Sequence, residues 1–228
     1  MTLELNLQKG LVGHWTMDDA DTSAGTLYDR SSNDNHGTIV NGPIDINNSI
    51  IGDSYIFTGV SDKKYIDIPD SVQNNIDGGQ EASLSVWMKL PYNSASDGDD
   101  TGPFSFQGSN TSNTHWVWTN SDGYFPTFRD SRIDNISTST IELTEWHRLT
   151  ITTEPGSNGW KLYINDNVHF STSGQQTVSA NDQALIGFNN ASHYFNGEMS
   201  DFRLYNRALS EEEISALYNM RSQRSYNI

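Results

Sequence analysis

No cysteine occurs among the 228 residues, so disulfides cannot staple the fold and cysteine usage gives no sign of redox compartment. No apolar run approaches the roughly 18 residues that a membrane span needs. Residues 1–9 lack a charged stretch followed by an apolar run, so they do not read as a signal peptide. Lysine is scarce, and 13 basic residues face 29 acidic ones, a net charge of −16. That balance argues against nucleic acid or an anionic membrane as partner, since both need a basic surface. With aspartate in excess of glutamate, it points to a protein built for high salt, where an acidic shell stays hydrated and its self-repulsion is screened. An ordinary acidic extracellular domain is the simpler alternative. No Pro/Ser/Gly-rich linker cuts the chain, so one domain is expected over residues 10–219, with polar tails at 1–9 and 220–228. The tails are expected to pack against a neighbouring subunit or back on their own domain.

What is present is strand and turn, closed by a single helix. Apolar or alternating runs such as Leu11–Trp15, Tyr65–Ile68, Leu84–Leu90, Arg148–Thr152 and Met199–Tyr205 are separated by Asn-Gly, Asp-Gly and Ser/Asn breaks. That rhythm predicts an all-β, two-sheet antiparallel sandwich. Asn165-Asp166-Asn167 reads as a hairpin turn, because Asn and Asp tolerate positive φ. Alternation from Met199 places Met199, Asp201, Arg203 and Tyr205 on one face of the last strand. Ser210 and Glu213 then form a capping box, with Leu209 and Ile214 as its hydrophobic staple. Ile214, Leu217 and Tyr218 give the short carboxy-terminal helix one apolar stripe by which to dock. The least regular region, residues 92–134, reads as an aromatic-rich insertion where binding function sits.

Five blocks carry a family resemblance: Gly10-Leu11-Val12-Gly13-His14-Trp15 with Asp29–Thr38, Ser83–Met88, Glu145–Thr150, Lys161–Asp166, and the closing Phe195–Tyr218. In this order they resemble the laminin-G-like, concanavalin A-like lectin/glucanase superfamily. The resemblance implies a jelly-roll sandwich over residues 10–219, with Trp15, Trp87 and Trp146 in its core. It implies little about activity, because this fold hosts lectins, adhesins, glycosidases and spacers alike.

Three chemistries are open. Calcium takes six to eight oxygens, and the opening motif offers Asp18, Asp19, Asp29, Asn33 and Asn35. The resemblance makes the first and last strands neighbours, which would bring Asp18 or Asp29 beside Asp201. A structural Ca2+ on Asp18, Asp29, Asn35 and Asp201 is therefore expected, against the alternative of an Asx-rich turn with Asp201 paired to Arg203. A glycan platform is the second: Trp116, Trp118, Tyr124, Arg129 and Asp130 combine stacking rings with hydroxyl-binding polar groups, although core packing would use the tryptophans equally well. Catalysis is the third and is disfavoured. Glucanases resembling this fold use E-x-D-x-x-E to bring two carboxyls about 5 Å apart, and here Glu198–Arg203 reads Glu, Ser and Arg at those positions. His14, His36 and His147 fall in structural blocks.

The functional expectation is a non-catalytic virion surface protein, a decoration, turret or tail-fibre subunit that assembles as a homo-oligomer and binds host-cell glycans. Its location is then the virion surface or the extracellular space, with no membrane insertion. A free-standing carbohydrate-binding or adhesion domain of a halophile is the alternative, and a divergent glycosidase the third.

Overall fold

Residues with branched or aromatic side chains at every second position form strands almost throughout. The computed structural model describes residues 7–42, 44–74, 81–90, 101–107, 114–119, 126–129, 144–153, 159–172, 183–189 and 193–220. The chain opens with β1 (Leu11–Trp15), β2 (Thr22–Ser23), β3 (Thr26–Leu27), β4 (Gly37–Val40) and β5 (Asp45–Asn48). β6 (Asp53–Thr58) and β7 (Tyr65–Ile68) precede a four-residue helix, α1 (Ser71–Asn74), and then β8 (Ala82–Lys89). β9 (Thr101–Gln107), β10 (Thr114–Thr119), β11 (Pro126–Arg129) and β12 (His147–Thr153) follow. After β13 (Trp160–Ile164), β14 (Asn167–Thr172) and β15 (Gln183–Ile186) comes a small hairpin of β16 (Phe188–Asn189) and β17 (His193–Tyr194). The ten-residue β18 (Asn196–Tyr205) and α2 (Glu211–Asn219) close the chain.

Two antiparallel sheets face each other. The first runs β14-β13-β12-β8-β18-β6-β5 with β1 also on β18, and the second runs β11-β10-β9-β15-β7-β4-β3-β2. The core lies between them, where β8 contributes Leu84, Val86 and Met88 and β7 contributes Ile66 and Ile68. Each such side chain contributes about 1.5–3 kcal/mol on burial. Trp15 joins this core by laying its ring over Gly13, where an added Cβ would sit 2.1 Å from the ring. That contact explains the Gly-His-Trp spacing of the opening block.

A second apolar cluster lies on the outer face of the first sheet. Tyr163 and Tyr205 from the sheet meet Leu11, Leu209, Ile214 and Leu217, so α2 docks there by its apolar stripe. Its start is as the sequence predicts: the Ser210 hydroxyl accepts from Glu213 N–H, and the Glu213 side chain accepts from the Ser210 backbone. Arg207 strengthens this end with a two-pronged contact to Glu213, 2.7 Å on each side.

Several expectations change. Trp87 is buried, but on the outer face, with its ring 5.7 Å from that of Tyr218 on α2. Trp146 is only half-buried. Residues 92–134 contain three paired strands, β9 to β11, rather than one irregular insertion. Leu7 is buried against the α2 cluster, so the described end of the amino-terminal tail folds back on its own domain. The remainder of that tail, and residues 221–228, lie outside the described residues. The hairpin turn holds, with Asn165 at φ 61°.

Candidate functional site

β18 carries the two carboxylates of interest and neighbours three strands. Residues 196–199 pair with β6, the second half pairs with β1, and β8 runs along its other edge. The register with β8 shifts between Ser200 and Arg203, where Asp201 adopts φ 50° and its N–H donates to Thr16 O at 3.0 Å. This is a β-bulge with Asp in a left-handed position that glycine usually fills. The extra residue breaks the alternation: Met199, Phe202 and Leu204 enter the core, whereas Arg203 and Tyr205 reach the other face. Met199 and Asp201 therefore do not share a face, contrary to the simple period of two.

The bulge aims the Asp201 carboxylate at a buried cationic cluster. Arg148 Nη1 donates to Oδ2 at 2.6 Å, and Arg203 donates to Oδ1 through Nε and Nη2 at 3.1 and 3.0 Å. His14 Nε2 lies 2.6 Å from Oδ1 and carries the hydrogen, since an ionised carboxylate only accepts. Burial opposes ionisation of Asp201, yet Arg203, Arg148 and His14 outweigh it and hold the carboxyl well below the usual range. Burial likewise pulls the Arg148 guanidinium below its usual value, with Asp201 acting against that trend. Arg148 also donates to Ser85 Oγ at 2.8 Å, extending the network beneath α2.

The expected calcium ligands are thus placed close to one another but are already engaged. Asp18 and Asp201 line one cavity of about 180 Å3 together with His14, Arg203 and Met220. Asp29 accepts from the backbone of His14, whose ring contacts Asp201. Other contacts tie this loop to itself, to β1 and to α1. Asp29 receives Ser31 N and Oγ and Asn35 N, and the Asn35 side-chain oxygen accepts from Ser71. Asn35 also donates to Val12 O at 2.8 Å, and Asp18 Oδ1 accepts from Asp53 N at 2.7 Å. Two guanidiniums on Asp201 and N–H donors on Asp29 form an Asx-rich staple on β1, a donor set that does not fit a dication. Among the described residues, no group of three or more Asp, Glu or His side chains is gathered for a metal.

Of the expected glycan residues, Trp116 and Trp118 fall on β10 and Arg129 on β11, at the far edge of the second sheet. Their backbones are paired, Trp118 with Thr127 and His115 with Arg129. Tyr124 and Asp130 lie outside the described residues.

Sequence reasoning missed a different place. At the opposite end of β18, Glu198 stands between Ile56 of β6 and Lys89 of β8, directly across from both. Together with Leu90, Asn196 and Gly197 they line an open cavity of about 310 Å3. Lys89 Nζ donates to Glu198 Oε1 at 3.3 Å, while Ser54 and Asn47 reach Oε2 at 3.2 and 3.4 Å. A Cβ at Gly197 would meet Lys89 O at 2.6 Å, so the strands close up here only because that residue is glycine. The failed E-x-D-x-x-E match drew attention to Glu198 only as a catalytic candidate. That match retains a single carboxyl, Glu198, because Ser200 and Arg203 stand at its other two positions, and the neighbouring Asp201 is ion-paired to Arg148 and Arg203. A third feature is an aromatic group of Tyr65, Phe188 and Tyr194, with Phe188–Tyr194 ring centroids 4.5 Å apart.

Fold and site together define a lectin-type sandwich with an open pocket beside a buried structural ion cluster. The chain belongs to the concanavalin A-like lectin/glucanases superfamily, whose sequence model matches residues 60–215. A comparison with curated protein sequences gives no match. Among solved structures, the chain is similar to domain 4 of AbnA, a GH43 extracellular arabinanase from Geobacillus stearothermophilus, solved with arabinotriose. The TM-score is 0.62 at 21% identity, covering 91% of this chain and 98% of that one. It is similar too to Trypanosoma rangeli sialidase, with TM-score 0.66 and 13% identity over 94% of this chain but 33% of that enzyme. The binding domain of botulinum neurotoxin serotype D gives TM-score 0.64 and 16% identity, covering 96% of this chain and 53% of that domain. The chain thus spans the whole arabinanase domain but about a third of the sialidase. No described helix is long and apolar enough to cross a membrane.

Proposed function

We propose that this chain is a non-catalytic carbohydrate-binding sandwich. The observation that carries the reading is end-to-end likeness to a single arabinanase domain solved with arabinotriose, on a chain whose E-x-D-x-x-E positions read Glu198, Ser200 and Arg203. An open pocket that mixes polar and apolar walls supports it, since sugar sites combine a few placed polar groups with apolar contact. That likeness favours a glycan-binding module over the virion subunit suggested by charge and tails, and over a divergent glycosidase. Calorimetric titration with arabinotriose and a panel of neutral oligosaccharides tests it, alongside an assay for reducing-sugar release. Binding without release is the expected result. Silence across the panel overturns the reading, and release of reducing sugar revives the glycosidase. Light scattering in molar salt addresses the other class: a monomer of about 25 kDa agrees with a module, and a defined oligomer restores the virion subunit.

A further inference from the structure

The outer face of the first sheet has two halves. One is packed against α2 and holds the Asp201 cluster beside the smaller cavity of about 180 Å3. The other, from Ile56 across Glu198 to Lys89, opens into the 310 Å3 cavity. This volume sits at the lower end of the roughly 300–1,000 Å3 typical of small-molecule sites.

We propose that this cavity is a subsite for one uncharged sugar ring, with Glu198 and Lys89 as its hydroxyl-binding pair and Ile56 as its apolar wall. The inference rests on the glycan-binding reading and adds to it the site and the charge of the ligand. Three contacts to the Glu198 carboxylate are long, 3.2 to 3.4 Å, so its lone pairs are only loosely used. Lys89 has three donors and, among the described residues, makes this one ion pair, with its side chain 36% exposed. A carboxylate and an ammonium side by side offer acceptor and donor to a vicinal diol, which presents both. The pairing also selects against charge. An anionic sugar would meet Glu198, an amine would meet Lys89, and a single carboxylate provides too few oxygens for a dication. Asn196 adds an amide at the rim, and half-buried Ile56 supplies a surface for the C–H face of the ring.

The site is distinct from Trp116, Trp118 and Arg129, which lie on the other sheet. The test titrates arabinotriose, xylotriose, cellotriose and 3′-sialyllactose into the wild type, Glu198→Gln, Ile56→Trp and Trp118→Ala. Glu198→Gln keeps size and removes charge, while Ile56→Trp fills the cavity from an outer-face position, so the two fail for different reasons. Melting temperatures are read in parallel, and a variant counts only if its transition stays cooperative. At least one neutral sugar should bind the wild type, weaken by tenfold or more in both pocket variants, and bind Trp118→Ala as well as wild type. Wild-type silence overturns the glycan reading and this site with it. Wild-type binding that survives both pocket variants overturns the site alone, as does loss confined to Trp118→Ala. Tighter binding of sialyllactose than of the neutral sugars overturns the assignment of an uncharged ligand.

Discussion

Glu198 and Asp201 stand three residues apart on one strand, and their surroundings could hardly differ more. Asp201 is 4% exposed and contacts two arginines and a histidine, the shortest contacts being 2.6 Å. Glu198 is only part-buried, meets one lysine at 3.3 Å and lines an open cavity. The bulge at Asp201 and the cover given by α2 account for the difference. Where a helix packs on the sheet, a buried carboxylate must be fully paired, because an unpaired buried charge costs several kcal/mol. Where the sheet stays open, water satisfies the group until a ligand replaces it. Saturated pairing therefore marks a structural role, and loose pairing in a cavity marks availability.

Breaking the half packed against α2 should have the largest effect. Asp201→Ala leaves two buried guanidiniums without their anion and should destabilise by about 3–5 kcal/mol, read from urea midpoints. The loss should be equal in calcium and in chelator; a loss seen only with calcium would restore the metal site. The same residue sets an acid limit. Its folded carboxyl titrates below the unfolded one, so its contribution is complete above about pH 4. That contribution declines as pH falls through the folded value, and urea midpoints should drop there in wild type but much less in Asp201→Asn. Leu217→Ala, on the fully buried stripe of α2, should cost about 2–5 kcal/mol and speed hydrogen exchange across the Asp201 cluster. Ser210→Ala, which removes the cap, should cost about 1 kcal/mol by thermal denaturation. Glu198→Gln should be the mildest, below about 1 kcal/mol for a partly exposed pair, while sugar binding falls as described above. A stability loss as large as that of Asp201→Ala would erase the contrast between the two carboxylates.

The sequence was legible where chemistry is local. The capping box at Ser210, the staple of Leu209 on Ile214 and the positive φ at Asn165 follow from neighbouring residues alone. Alternation placed β1, β7, β8 and β12, because strand periodicity records which residues face the core. It failed at Met199, since a one-residue bulge reverses the faces and leaves no local mark when the left-handed residue is Asp rather than Gly. The opening motif is oxygen-rich, yet Asp29 is taken by backbone amides of His14 and Asn35 within the motif, and Asp201 by Arg148 from a strand far along the chain.

By itself, then, the sequence determined the sandwich and its closing helix. Those depend on short-range periodicity, turn chemistry and composition. Tertiary structure alone decided that Asp201 is an anion among buried cations and that Glu198 faces an open cavity. Arg148 lies 53 residues from Asp201 and Lys89 lies 109 from Glu198. Whether a carboxylate pairs, binds or stays hydrated depends on what the fold brings to it across such distances.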